Sequence, residues 1–177
     1  VRKRLKTPKV IMSVLRAALA SLFLLLPLSS ALANDLRLEE FFAGRTTATG
    51  TFTTITGFER SFTLTLHGQW DGRTLTLRED FVYDDGETDT KTWRFTQVGW
   101  NTYTGTREDV IGETLVSVIN NRAFFNYRVD LDPGPAENLV RFYDTLTLSE
   151  DGRTLVNTAN VFKGPLPVAR AKVTFKR

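Results

Sequence analysis

Two acids stand where a strand should carry only apolar side chains. Glu79 and Asp80 lie between Leu77 and Phe81 in the run Thr74–Tyr83. With period-two alternation, Leu75, Leu77, Glu79, Phe81 and Tyr83 share one face, so Glu79 sits among apolar neighbours. Asp144 repeats the pattern on a face with Val140, Phe142, Leu146 and Leu148. A carboxylate on an apolar face is costly unless it is paired. Arg94, Arg128 and Arg141 are the natural partners, and with Glu79, Asp80 and Asp144 they form the strongest polar constellation in the chain. Two readings stay open. One is a buried ion-pair network that fixes strand register. The other is a polar anchor in an apolar cavity, where an Arg grips a carboxylate or phosphate head group while aromatic side chains hold an acyl chain. Trp70, Phe81, Tyr83, Trp93, Phe95, Tyr127 and Tyr143 supply such walls, or plain core. If the cluster does acid–base work, Glu79 is the base, its pKa raised by apolar neighbours.

Other chemistries are thinly supplied. The 177 residues hold one His and no Cys, which leaves the usual nucleophile–base sets without members. His67 lies in a Thr-rich alternation and reads as a surface-facing strand residue. Asp84, Asp85, Glu87 and Asp89 make an acidic turn without calcium-loop spacing, so it reads as a solvated hairpin tip. No metal site and no cofactor is expected.

The elements that must position these groups are strands. The two Asp-Gly pairs Asp71-Gly72 and Asp85-Gly86 punctuate alternating runs, as a tight hairpin turn requires. Asp151-Gly152 does the same later. Ten runs follow one another: 45–56, 60–70, 74–83, 88–98, 102–107, 113–119, 123–131, 139–149, 154–162 and 169–176. The composition predicts an all-β, antiparallel up-and-down meander of about ten strands that closes into a barrel, because an open sheet of that length would expose its edges. Asn34–Phe42 reads as a short helix capped by Asn34 or Asp35 and ended near Gly44. Leu38, Phe41 and Phe42 form its docking face.

Residues 1–33 read as a cleavable secretory signal peptide. A basic start precedes the apolar run Ala17–Leu28 and the small-residue site Ala31-Leu32-Ala33. Met12 is an alternative start to Val1. Residues 34–177 then form a single domain. The whole chain has 23 basic and 20 acidic residues, but six basic and no acidic ones precede residue 34, leaving 17 against 20, or −3. The basic balance therefore belongs to the leader and implies no nucleic-acid partner. The expected location is the periplasm. Without a Cys after the leader there is no site for a lipid anchor, and membrane association is peripheral at most.

The segment Trp70-Asp-Gly through Glu79-Asp-Phe-x-Tyr-Asp-Asp-Gly-Glu87, followed by Trp93, resembles the bacterial envelope family DUF3833. Leu36-Arg-Leu-x-x-Phe41-Phe42-x-Gly44, Glu108-Asp-Val-Ile-Gly112, Tyr127-Arg-Val-Asp130 and the ending Phe162-Lys-Gly to Lys176 are similar to that family too. The resemblance implies a lipocalin-like barrel in the envelope and points to lipids, without implying an activity. The function expected is binding of a lipid-like or fatty-acid-like small molecule. The alternatives are a lipid-modifying enzyme of isomerase or hydratase type and a structural partner in an envelope complex.

Overall fold

The computed structural model describes residues 35–131 and 138–177. The leader-like segment, Asn34 and residues 132–137, with their Pro-Gly-Pro sequence, lie outside the described residues. Ten strands follow one short helix: α1 Leu38–Phe42, β1 Gly44–Thr54, β2 Glu59–Trp70, β3 Thr74–Tyr83, β4 Thr88–Gly99, β5 Thr102–Thr106, β6 Thr114–Ile119, β7 Arg122–Asp130, β8 Leu139–Leu148, β9 Thr154–Lys163 and β10 Leu166–Lys176. Each strand pairs antiparallel with its neighbours in sequence, and β1 pairs with β10 to close the barrel. The closing register sets Ala48 opposite Phe175 and Thr54 opposite Ala169. Closure leaves no unpaired sheet edge.

The turns use the chemistry that their residues carry. Gly72, Gly86 and Gly152 have φ of +97°, +86° and +68°, the left-handed values that tight hairpins need and that cost Gly nothing. Asp71 Oδ1 accepts from the backbone N–H of Arg73 and Thr74 at 2.8 and 2.7 Å, and Asp151 Oδ1 accepts from that of Arg153. One boundary moves. β10 begins at Leu166, three residues before the run read from the sequence, because Pro167 sits at a register shift where the ladder does not need its missing N–H.

Alternation then sorts the inside from the outside. Leu64, Leu66, Leu75, Leu77, Trp93, Phe95, Val116, Val118, Leu146, Leu148, Leu155 and Phe175 all turn inwards and are buried. His67, between Leu66 and Gly68, is exposed on the outer face.

Helix α1 plugs one end. It is shorter than the sequence suggests, and Arg37 at its N-cap is extended with no side-chain cap. Five residues cannot hold a helix alone, so docking holds it. Phe42 meets Phe175 edge to face at 5.4 Å between centroids. A Cβ on Gly68 would lie 2.0 Å from the Phe42 carbonyl oxygen, so glycine is what lets the helix end rest on β2. Glu39 anchors the other side. Tyr103 donates to its Oε2 at 2.6 Å and Arg37 Nε to its Oε1 at 3.0 Å. Burial works to raise the Glu39 pKa, but the Tyr103, backbone and Arg37 hydrogen bonds together bring it below the usual value. Among the described residues no helix is long and apolar enough to cross a membrane.

Candidate functional site

Above the plug the barrel is hollow. A cavity of about 410 Å³ runs from α1 towards the end where Arg60, Tyr83, Asp89, Lys91, Asp109 and Leu131 line it. That volume lies in the range of small-molecule sites. Its walls differ. From β3, β4, β7 and β8 come Phe81, Tyr83, Trp93, Phe95, Phe125, Tyr127 and Phe142. From β9 and β10 come Ala159, Ala171 and Val173, with Phe175 at the floor. Trp93 stacks on Phe95 at 5.0 Å and meets Tyr127 edge to face at 5.1 Å, while Tyr127 stacks on Phe142 at 5.2 Å. This sheet of rings is rigid and dispersive, and each ring is fixed by the next.

The polar groups sit at mid-depth and at the mouth. Arg107 follows β5 directly and is held on every side. Its Nε and Nη2 donate to Asp109 at 2.6 and 3.2 Å. Its Nη1 lies 4.0 Å from Glu79 Oε2. Its guanidinium carbon lies 4.8 Å from the Trp93 ring centre and 5.5 Å from that of Tyr127. Glu79 is 8% exposed. Burial pushes its pKa up to about 7, against the pull of Arg107 and with the help of Asp109 and Asp144. Desolvation outweighs a single cation at 4.0 Å. Across the cavity, Asp144 is raised to about 6, again by burial and despite its neighbours Asn157, Tyr127 and Arg107. Asn157 Nδ2 donates to Asp144 Oδ1 at 2.5 Å. Asp144 Oδ2 and Asn157 Oδ1 are buried without a hydrogen-bond partner.

At the mouth each cation has its acid. Lys91 lies 3.2 Å from Asp89 and 3.5 Å from Asp109. Arg60 bridges Asp85 and Glu87, with its guanidinium carbon 3.7 Å from the Tyr83 ring centre. The acidic tip is thus engaged by Arg60 and Lys91, and among the described residues no three His, Asp or Glu side chains are grouped to hold a metal ion.

Of the residues singled out in the sequence, Glu79, Phe81, Tyr83, Trp93, Phe95, Tyr127 and Asp144 line the cavity together. Trp70 packs against the core outside the cavity lining, and Asp80, Arg94, Arg128, Arg141 and Tyr143 face outwards. Asp80 bonds Arg78 at 2.9 Å and Thr90 at 3.0 Å on the outer face. Arg94 donates to Thr76 at 3.2 Å. Arg141 donates to Asn126 at 2.6 Å and stands opposite Arg128 in the ladder. Tyr143 meets Phe162 edge to face on the outside. Period two decides this: Arg94 lies between inward Trp93 and Phe95, and Arg128 between inward Tyr127 and Val129, so both must point away. The expected pairing of Glu79 and Asp144 with Arg94, Arg128 and Arg141 is therefore replaced by Arg107 for Glu79 and by Asn157 for Asp144. Arg107, Asp109, Lys91, Arg60 and Asn157 were not anticipated. Their signal was present for Lys91, two residues before Trp93, for Arg60, two before Phe62, and for Asn157, two after Leu155. Arg107 extends the Tyr103–Gly105 alternation one step beyond the strand.

The barrel is shared with distant structures. A protein of unknown function of the DUF3598 family from Nostoc punctiforme superposes with a TM-score of 0.56 at 14% identity, over 83% of this chain. This chain spans about half, 51%, of that protein's length. An S-type phycobiliprotein lyase from Guillardia theta superposes with a TM-score of 0.56 at 9% identity, covering 80% of this chain and 93% of its own. No curated protein matches the sequence. The family model described as protein of unknown function DUF3833 matches residues 29–177, so the chain with this plugged, charge-lined barrel belongs to the DUF3833 family.

Proposed function

We propose that this protein is an envelope carrier or sensor of a lipid-like small molecule, held in the barrel cavity. One observation carries the reading: an open-ended hollow of about 410 Å³, walled by aromatic and small apolar residues, with a compact set of polar groups at mid-depth. An apolar body with one polar end fits that distribution. The rim adds support. Ile55 and Phe58, from the loop that joins β1 to β2, and Leu166, the first residue of β10, are 72%, 60% and 65% exposed at the open end. Scattered exposed apolar residues are ordinary, but three around one mouth suit a protein that takes ligand from an apolar surface. The envelope location rests on the basic start and apolar run within residues 1–33, and the periplasm is the compartment that they fit.

Native mass spectrometry of the purified protein, with displacement of an environment-sensitive fluorescent acyl probe, tests this. Co-purified ligand, or saturable probe binding lost on filling the cavity, is the expected result. Protein that is empty and does not take up the probe overturns it.

A second reading is favoured by Glu79 alone. A carboxyl group held near pH 7 inside a ligand cavity is suited to abstract or return a proton from a bound lipid, as an isomerase or hydratase requires. Cells carrying Glu79→Gln in a folded protein would then show a changed lipid profile, and an unchanged profile removes this reading.

A further inference from the structure

The charges inside the barrel are not those of a fatty-acid site. Each cation that lines the cavity already has a carboxylate within 4.0 Å: Arg107 has Asp109 and Glu79, Lys91 has Asp89 and Asp109, and Arg60 has Asp85 and Glu87. Arg107 is further enclosed by the Trp93 and Tyr127 rings. An incoming carboxylate would have to displace one of these acids or sit beside Glu79 and Asp144. Either route removes more interaction than it adds, since like charges in a desolvated site repel strongly.

What the cavity does offer is spare acceptor capacity. Asp144 is 4% exposed, lines the cavity and has no basic side chain within 4.0 Å among the described residues. Its Oδ2 and the Oδ1 of Asn157 are both buried with no donor in hydrogen-bond geometry, although the nearby Tyr127 hydroxyl favours the ionised form of Asp144. Asn157 spends an N–H on Asp144 Oδ1, which fixes the amide and leaves its oxygen as a second acceptor on the same side. Two buried acceptors without donors are expensive to maintain. Ala159 and Ala171, small residues on the adjoining strands, line the same cavity, so a ligand that draws either acceptor out meets little bulk there.

From this we infer that Asp144 and Asn157 form a subsite for a hydrogen-bond-donating head group, a hydroxyl or a protonated amine, on an otherwise apolar ligand. The inference rests on the proposal that the cavity holds a lipid-like molecule, and it replaces the anionic head group that the arginines in the sequence suggested. The donor lies between Asp144 Oδ2 and Asn157 Oδ1, and the aromatic wall takes the hydrocarbon.

Three ligands of equal chain length separate the possibilities: dodecan-1-ol, dodecylamine and dodecanoate, each competing with a fluorescent acyl probe for the purified protein at neutral pH. The alcohol and the amine are expected to displace the probe at concentrations about tenfold or more below dodecanoate, the effect of one charge-assisted hydrogen bond. In Asp144→Asn, an isosteric change that keeps the site's shape, the amine loses its advantage while the alcohol still binds. Asn157→Leu weakens the alcohol and the amine together and leaves dodecanoate unchanged. Dodecanoate binding as tightly as the alcohol and the amine overturns the subsite but leaves the carrier reading intact. So does a bound probe that none of the three displaces. Failure of the probe itself to bind overturns both.

Discussion

The two walls of the barrel are built on the same kind of strand and do opposite things. On β3, β4, β7 and β8 the inward positions hold large rings and charges: Phe81, Trp93, Phe95, Phe125, Tyr127, Glu79 and Asp144. On β9, β10 and β1 several of the same positions are small, Ala159, Ala169, Ala171, Ala48 and Gly50, with Phe52 and Phe175 as the large exceptions. The first wall is a continuous run of stacked and edge-on rings with Arg107 pressed against it. The second leaves space. Gly50 shows how narrow the margin is, since a Cβ there would lie 2.4 Å from the Phe62 ring that leans across β1. Had both walls been large, the barrel would be filled like a small closed core. Had both been small, the hollow would lack the contacts that hold its shape.

That division can be broken on each side. Trp93→Ala should have the largest effect, a loss of about 5 kcal/mol in chemical denaturation, because the ring is buried and supports Phe95, Tyr127 and Arg107. Arg107→Leu should cost about 3–4 kcal/mol at pH 8, since it strands Glu79 and Asp109 in the cavity wall. The cost should shrink at pH 5, where Glu79 carries its own proton.

Glu79→Gln sharpens the comparison through pH. Burial holds Glu79 near 7 instead of 4.5, so the folded protein keeps a proton that the unfolded chain releases. Its contribution to stability is full below about pH 4.5 and is lost as pH rises through 7. The variant, uncharged throughout, should therefore gain on the wild type by up to about 3 kcal/mol between pH 4 and pH 8. Denaturation midpoints at the two pH values measure this, and parallel curves for the two proteins would contradict it. Ala171→Phe should have the smallest effect on stability, within about 1 kcal/mol, because the ring enters open space. The same change should abolish probe binding. A large loss of stability there would mean that the small wall is packed and not hollow.

The barrel was legible because the signals that define it are local. Asp-Gly turns and strict alternation give strand ends, faces and neighbours, and the long meander has to close to hide its edges. The site was legible only in part. Glu79 and Asp144 stood out because an acid interrupts an apolar face, a feature visible on one strand. Their partners were misassigned because pairing was inferred from charge type before the face of each Arg was imposed. Arg94 and Arg128 fail that test on their own strands. Arg107 was harder to find. It lies past the end of β5, and the pairing of β3 with β4 and of β4 with β5 brings it beside Glu79, a residue 28 positions earlier in the chain. Which inward positions are small enough to leave a hollow depends on all ten strands at once, and no single run reveals it.

The plug at the base has one more consequence. Ala43 alone separates α1 from β1, and the helix end rests on Gly68 with no room for even a methyl group. That leaves no slack for a swinging trapdoor. Under the proposed carrier function, a guest then enters and leaves at the other end, past Arg60, Tyr83 and Lys91. Entry rate is then set by how quickly those side chains step aside, and mutations far below the threshold should alter how long a guest is held far more than how fast it gets in.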